Sequence, residues 1–199
     1  MRKQFITACL YTLVTTILLG LGYPLAVTVL AHLLMPANAN GDLITQKGVI
    51  VGSKFIGQPF TGPGYFNSRP SAAGAGYDGA NSSGSNLGPS NATLIARVEQ
   101  SVQFWKSREA KAGNRNQNVP VDLVTTSGSG LDPDITVAAA EYQVPSVAEA
   151  RGLPGDQVKH LVHTYIEPRQ FGFLGEPRVN VLELNLALDA SSRRPAQHQ

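Results

Sequence analysis

The chain has a single cysteine, Cys9, set in an apolar N-terminal stretch, so no intrachain disulfide can form. A lone thiol in an apolar helix packs as a small hydrophobe. Only eight residues precede it, too few for the apolar stretch of a lipoprotein anchor. Charge is scarce too. Charged residues are 15% of the 199, against roughly 25% in an average globular chain. The formal net charge is +2 and the basic residues are scattered, with no Lys/Arg stripe interleaved with aromatics, so a nucleic-acid footprint is excluded. Motifs that carry chemistry are also missing. There is no G-x-x-x-x-G-K-[ST] to cradle a phosphate and no H-E-x-x-H for zinc. There is no G-x-S-x-G elbow, because Ser127 stands two residues before Ser129. His160 and His163 lie three apart on an expected helix but lack a third metal ligand, and a solvated helix face is the plainer reading.

What is present begins with Phe5 to Met35, a run almost free of charge and longer than the roughly 20 residues that cross a bilayer. Ala37-Asn38-Ala39 resembles a signal-peptidase site, but signal peptides have apolar cores of about 7–15 residues. The run is therefore read as a retained transmembrane helix over 5–35. Arg2 and Lys3 precede it, and the next cation after it is Lys47. The positive-inside rule then puts residues 1–4 in the cytoplasm and the rest outside. Within the span, Ala8, Thr12, Thr16, Gly20, Pro24, Thr28 and His32 recur every four residues. Small residues at that spacing admit a partner helix, which makes Thr12, Thr16, Gly20 and Pro24 packing candidates. Pro24, after Gly20 and Gly22, is expected to bend the helix.

Residues 36–189 read as a small α+β extracytoplasmic domain rich in loops, and 190–199 as a disordered tail. Val49–Val51 and Lys54–Ile56 around Gly52-Ser53 resemble a hairpin. Gln58 to Pro89, rich in Gly, Pro, Ser and Asn, is a long loop of the sort that is usually functional or bound to something. A helix begins at Ser90 with Leu94, Ile95, Val98, Val102 and Trp105 on its apolar face, and ends near Gly113. Asn114–Asn118 is a polar connection. Val119–Thr125 reads as a strand. Ile135–Tyr142 reads as a short helix stopped by Pro145, with Ser146 and Glu149 capping a separate turn that ends at Gly152. Val158, Leu161, Val162 and Tyr165 mark another helix. Over Val179–Leu188 a strand-like alternation competes with the capping-box spacing of Asn180 and Glu183, and the latter favours a helix.

Asp122, Asp132 and Asp134 surround the turn Ser127-Gly128-Ser129-Gly130. Turn and cap chemistry is the plain account of such a cluster. A hydrolase would need Ser127 or Ser129 beside His160 or His163, and an ion-collecting surface would need Asp122, Asp132, Asp134 and Glu176 to raise the local cation concentration. Three segments combine turn formers with aromatic or charged groups: Tyr65-Phe66-Asn67-Ser68-Arg69-Pro70-Ser71, the stretch from Ser82 to Asn91, and the stretch from Val119 to Pro133. Such a composition suits rigid loops that dock on a partner. The contact candidates are Tyr65, Phe66, Arg69, Ser71, Asn86, Asp122, Ser129, Asp132 and Gln143.

These segments resemble the C subunits of Kdp potassium-transporting P-type ATPases. The pattern YF-x-x-RPSA (Tyr65 to Ala72), SGSNLGPSN (Ser83 to Asn91), VPVDLVTTSGSGLDP, YQVP (Tyr142 to Pro145) and FLGEPRVNVLELNLALD (Phe173 to Asp189) occurs in that family's order. The resemblance implies a bacterial inner-membrane complex with a channel-like subunit that passes potassium and a separate subunit that hydrolyses ATP. This chain lacks the D-K-T-G phosphorylation motif and has one span, too few to line a pore. It is expected to be a non-catalytic, assembly-promoting subunit with no cofactor of its own. The resemblance also implies a catalytic-chaperone role that raises the pump's affinity for ATP. No residue is assigned to ATP, because an outward domain does not face the cytoplasmic nucleotide.

Overall fold

The computed structural model describes residues 1–114 and 117–192. Two compact units emerge, one formed by Met1–Ser53 and the other beginning at Lys54.

The first unit opens with α1 (Arg2–Thr15), a π-helical stretch (Thr16–Gly22) and α2 (Tyr23–Leu34), which follow one another without a break. At 1.5 Å per residue the 33 residues extend about 50 Å. None of these elements contains a buried residue, and the apolar side chains of Leu10, Leu18, Leu25 and Leu30 are exposed. The rod is long and apolar enough to cross a membrane. Where the bend is expected, the structure has a change of helical pitch, the π-helical stretch before Pro24. Pro24 has no N–H, and its ring crowds the carbonyl of Gly20, four residues back. A wider turn relieves that contact, and the Tyr23 amide reaches back to Leu18 instead. Thr28 Oγ1 donates to Pro24 O (2.8 Å) and His32 Nδ1 lies 2.9 Å from Thr28 O, so the helix itself satisfies these polar groups of the four-residue row.

A short α3 (Pro36–Ala39) leads to an antiparallel hairpin, β1 (Leu43–Gln46) with β2 (Val49–Ser53). Its turn is Lys47-Gly48, not Gly52-Ser53. Both turn residues have positive φ (51° and 81°), the primed-turn geometry that matches strand twist. Ser53 instead closes β2, its hydroxyl donating to Gly41 O at 2.6 Å.

The second unit contains α4 (Ala92–Lys111), a 3-10 turn (Val121–Leu123), β3 (Asp134–Thr136), α5 (Val137–Arg151), α6 (Gly155–Thr164), β4 (Ile166–Glu167), β5 (Arg178–Asn180) and α7 (Val181–Ser192). The strands form an antiparallel sheet in the order β3-β5-β4. Asn91 caps α4 by accepting from the amides of Thr93 and Leu94. On its apolar face Trp105 is buried and Ile95 exposed. The strand expected over Val119–Thr125 is replaced by the 3-10 turn. Pro120 offers no ladder donor, and Thr125 bonds Val121 O through both its amide (3.0 Å) and its hydroxyl (2.8 Å), closing the chain on itself.

Helix α5 runs straight through Pro145 and absorbs Ser146 and Glu149, rather than stopping at Tyr142. An interior proline costs about 3 kcal/mol. Burial of Ala139, Ala140, Tyr142, Val147 and Ala148 offsets it, because α5 is the centre of the core. The helix ends at Gly152 in a left-handed cap (φ 64°), with the Leu153 amide bonding Ala148 O at 3.0 Å. The ambiguous stretch beginning at Val179 splits. Three residues pair as β5, and then Asn180 Oδ1 accepts from the Glu183 amide (3.1 Å) to start α7. That helix includes Ser191 and Ser192, and the rest of the expected disordered tail falls outside the described residues.

Candidate functional site

The irregular chain between Lys54 and Asn91 is fixed from three sides. Two buried amide side chains grip its middle. Asn185 of α7 accepts from the Phe66 amide and donates to the Phe66 carbonyl, both at 2.9 Å. Gln143 of α5 does the same for Asn67, at 2.8 and 3.2 Å. Each amide thus replaces the neighbouring strand that this segment lacks, and the buried backbone is satisfied. Two arginines then grip the preceding turn. Arg108 of α4 donates to Pro63 O (3.1 Å), Tyr65 O (3.3 Å) and Asn67 Oδ1, and its guanidinium lies 5.0 Å from the Trp105 ring centre. Arg151 of α5 donates to Gly64 O (2.6 Å), covers the Tyr65 ring at 4.4 Å and pairs with Asp189 at 2.8 Å.

The three motif segments meet on the far side. The Gly57 amide donates to Leu131 O (2.8 Å) and the Ser83 amide to Ser129 O (2.9 Å), while Ser71 Oγ donates to Gly130 O (2.6 Å). Ser71 Oγ also accepts from the amides of Ala73 and Tyr77, at 3.1 and 2.8 Å. Gly130 sits at φ 68°, and a Cβ there would lie 2.6 Å from Ser83 O and 2.7 Å from Ala73 N. Glycine is therefore required for both backbone angle and space. Arg69 ties the plate together, pairing with Asp132 at 3.1 Å and donating to Thr126 O at 3.3 Å. The Tyr77 hydroxyl donates to Arg69 O, and burial raises its pKa.

The expected contact residues divide by burial. Phe66 and Gln143 are fully buried, so they build the plate from within and lie beyond a partner's reach. Asp122 is also interior and accepts from the Thr136 amide at 2.7 Å. Tyr65, Arg69, Ser71 and Asp132 are half-buried in the internal network just described, and Asn86 (φ 52°) and Ser129 are exposed. A second exposed feature was not picked out as a contact. Between β4 and β5 a tight turn closes with Gln170 and Leu174 exchanging amide bonds at 2.9 Å each, braced by Arg169–Glu176 at 2.5 Å. Its tip carries Phe171 (80% exposed) and Phe173 (70% exposed). Phe171 is held at φ 54°, a costly angle for a bulky side chain. The sequence signal was Phe-Gly-Phe before Leu-Gly-Glu-Pro, an aromatic pair in a turn.

The carboxylates of the expected cluster are engaged by this chain's own groups. Asp132 faces Arg69, Asp134 faces Arg178 at 2.8 Å and Glu176 faces Arg169. Burial raises the pKa of Asp134, with Arg178 opposing. Paired in this way, they lack the free negative field that ion collection needs. Lys54 bridges Glu167 (2.7 Å) and Glu183 (3.4 Å). Its hydrogen bond holds the Glu167 carboxyl below its usual range, and its own pKa is raised. Among the described residues, no group of three or more His, Cys, Asp or Glu side chains is arranged to hold a metal ion. His163 bonds Glu141 at 2.8 Å, and no hydrogen bond among the described residues joins Ser127 or Ser129 to either histidine. The hydrolase arrangement is not formed.

The chain thus joins a helix long and apolar enough to cross a membrane to a small α+β domain whose polar side chains hold its loops in place, the class of a single-span protein with one small domain. The family model for KdpC, the c chain of K+-transporting ATPase, matches residues 5–190. A potassium-transporting ATPase KdpC subunit from Koribacter versatilis is 54% identical over 195 residues, covering 98% of each chain. That of Acidobacterium capsulatum is 56% identical over 183 residues, covering 92% of this chain and 96% of its own. The Methylococcus capsulatus subunit is 54% identical over 191 residues, covering 96% and 99%. The chain belongs to the KdpC family, and so is an accessory subunit of a potassium uptake complex.

Proposed function

We propose that this chain is a non-catalytic docking subunit of an ATP-driven potassium uptake complex in the bacterial inner membrane. Its helix spans the bilayer with the N-terminus in the cytoplasm, and the unit beginning at Lys54 lies outside. It binds the channel-like and the ATP-hydrolysing subunits of the same complex. The observation that carries this reading is the three-loop plate, where Gly57, Ser71 and Ser83 clasp the Ser129–Leu131 segment. A large irregular surface held in one conformation loses little entropy on docking. Thr12, Thr16, Gly20 and Pro24 supply the packing face within the bilayer.

The family's catalytic-chaperone role fits this topology only as indirect coupling. A subunit that binds one pump conformation more tightly than another shifts the population, and by linkage shifts the affinity for ATP, without touching the nucleotide. The test is a double variant, Arg69→Ala with Asp132→Ala, in the assembled complex. It removes the brace of the plate without leaving either partner's charge unpaired. Lower yield of the co-purified complex and a weaker apparent affinity for potassium or ATP are expected. Unchanged yield and affinities would remove these residues from the docking role.

A further inference from the structure

A cleft of about 390 Å³ opens between the segment 59–70 and the flank of α4. Arg69 and Arg97 are the charged residues of its lining, among polar groups that include Asn67, Ser68 and Gln100 and beside Phe60 and Phe104, and no acidic residue lines it. The Arg97 guanidinium is unusual in this protein. Arg69, Arg151, Arg169 and Arg178 each pair with a carboxylate, and Arg108 bonds loop carbonyls. Arg97 Nε and Nη2, by contrast, are buried and meet no acceptor among the described residues, and Arg69 Nε, in the same cleft, is likewise orphaned. Leaving a charged donor buried without a partner is costly, and a bound ion is one of the partners that satisfies such a group.

We propose that this cleft receives one phosphate-class oxyanion, gripped by the Arg97 guanidinium with Arg69 Nε as a second donor. The charge balance fits, because Asp132 already neutralises Arg69 and one positive charge is left over at Arg97. The orphaned donors come from two elements, a loop and a helix. A tetrahedral oxyanion presents oxygens in several directions and can meet both, whereas a planar carboxylate saturates a single guanidinium edge. Free phosphate and the phosphodiester of an anionic lipid headgroup share this chemistry. The apolar wall of Phe60 and Phe104 leaves room for what a headgroup carries with it. The inference does not depend on the docking role of the loop plate.

The test follows the arginine Nε–Hε resonances of the 15N-labelled full-length chain in a non-ionic detergent. Arg97 is assigned by its loss in Arg97→Lys, which keeps the charge and removes the planar fork. Potassium phosphate is titrated against potassium chloride and potassium acetate at equal ionic strength, and micelles doped with phosphatidylglycerol are compared with phosphatidylcholine. A saturable shift of Arg97 and Arg69 with phosphate alone supports the site with a free anion as ligand. A shift seen only with phosphatidylglycerol supports it with the headgroup as ligand. In either case Arg97→Lys weakens half-saturation about tenfold, as loss of one charge-assisted contact implies. Acetate matching phosphate would overturn the phosphate assignment and point to a protein carboxylate. The absence of any saturable shift beyond chloride would overturn the site itself.

Discussion

Glu109 is a fully buried carboxyl on α4, 3.9 Å from Arg108 Nε, and among the described residues neither of its oxygens meets a donor in hydrogen-bonding geometry, although Ser146 lies close. Burial raises its pKa above the ordinary 4.5. The folded state therefore holds this proton more tightly than the unfolded state, and stability falls as pH rises from the unfolded value through the raised folded one. Glu109→Gln should flatten that slope and raise Tm at pH 7, as seen by thermal unfolding of wild type and variant from pH 4 to 8. A variant less stable than wild type at pH 7 would mean that the carboxylate is charged and well paired. Asn185 carries the opposite risk. Asn185→Ala leaves the buried amide and carbonyl of Phe66 without partners, at roughly 1–3 kcal/mol for each orphaned group. Urea unfolding should show the loss, and a change below about 0.5 kcal/mol would contradict the clamp.

At the scale of elements, Gly130→Ala places a Cβ 2.6 Å from Ser83 O, so the three loops must part. It should lower Tm and reduce co-purification of the other subunits together. Phe171→Ser with Phe173→Ser should separate these effects. Both side chains are exposed, so Tm should hold while co-purification falls, and unchanged recovery of the complex would show that the tip faces solvent in the assembly. What the sequence could reveal of these elements followed the range of the forces that shape them. The long N-terminal helix, α4, α6 and the end of α5 at Gly152 follow from periodicity and caps, which act within a few residues. The course of α5 through Pro145 does not, because the burial that offsets the proline is provided by chain far away in sequence. The 3-10 turn at Val121–Leu123 had local signs in Pro120 and Thr125, but part of what holds it is distant. Trp105 of α4 donates to Leu123 O at 3.0 Å, a contact that no local pattern announces. The motif segments stand out in the sequence, but the inward direction of Phe66 and of Gln143, which reaches from α5 to the backbone of Asn67, depends on the fold as a whole. Arg108 and Arg151, the main grips on that loop, carry no local sequence signal of that role, because the carbonyls they hold lie 41 to 87 residues away in the chain.

For the whole molecule, the proposed function divides the work between an apolar membrane-spanning helix and a unit on the outer side of the membrane. Among the described residues the N-terminal helices bury none of their own side chains, and by the positive-inside rule Arg2 and Lys3 favour the orientation proposed above. Under that proposal any influence on ATP would pass through the pump's conformational equilibrium. The most direct test is side-specific labelling of Ser107→Cys, an exposed position on α4, in a Cys9→Ser background. A membrane-impermeant thiol reagent is applied to spheroplasts and to lysed cells in parallel. Full labelling in intact spheroplasts is the predicted result. Labelling that appears only after lysis would place the unit on the cytoplasmic side and contradict the orientation on which the proposed function depends.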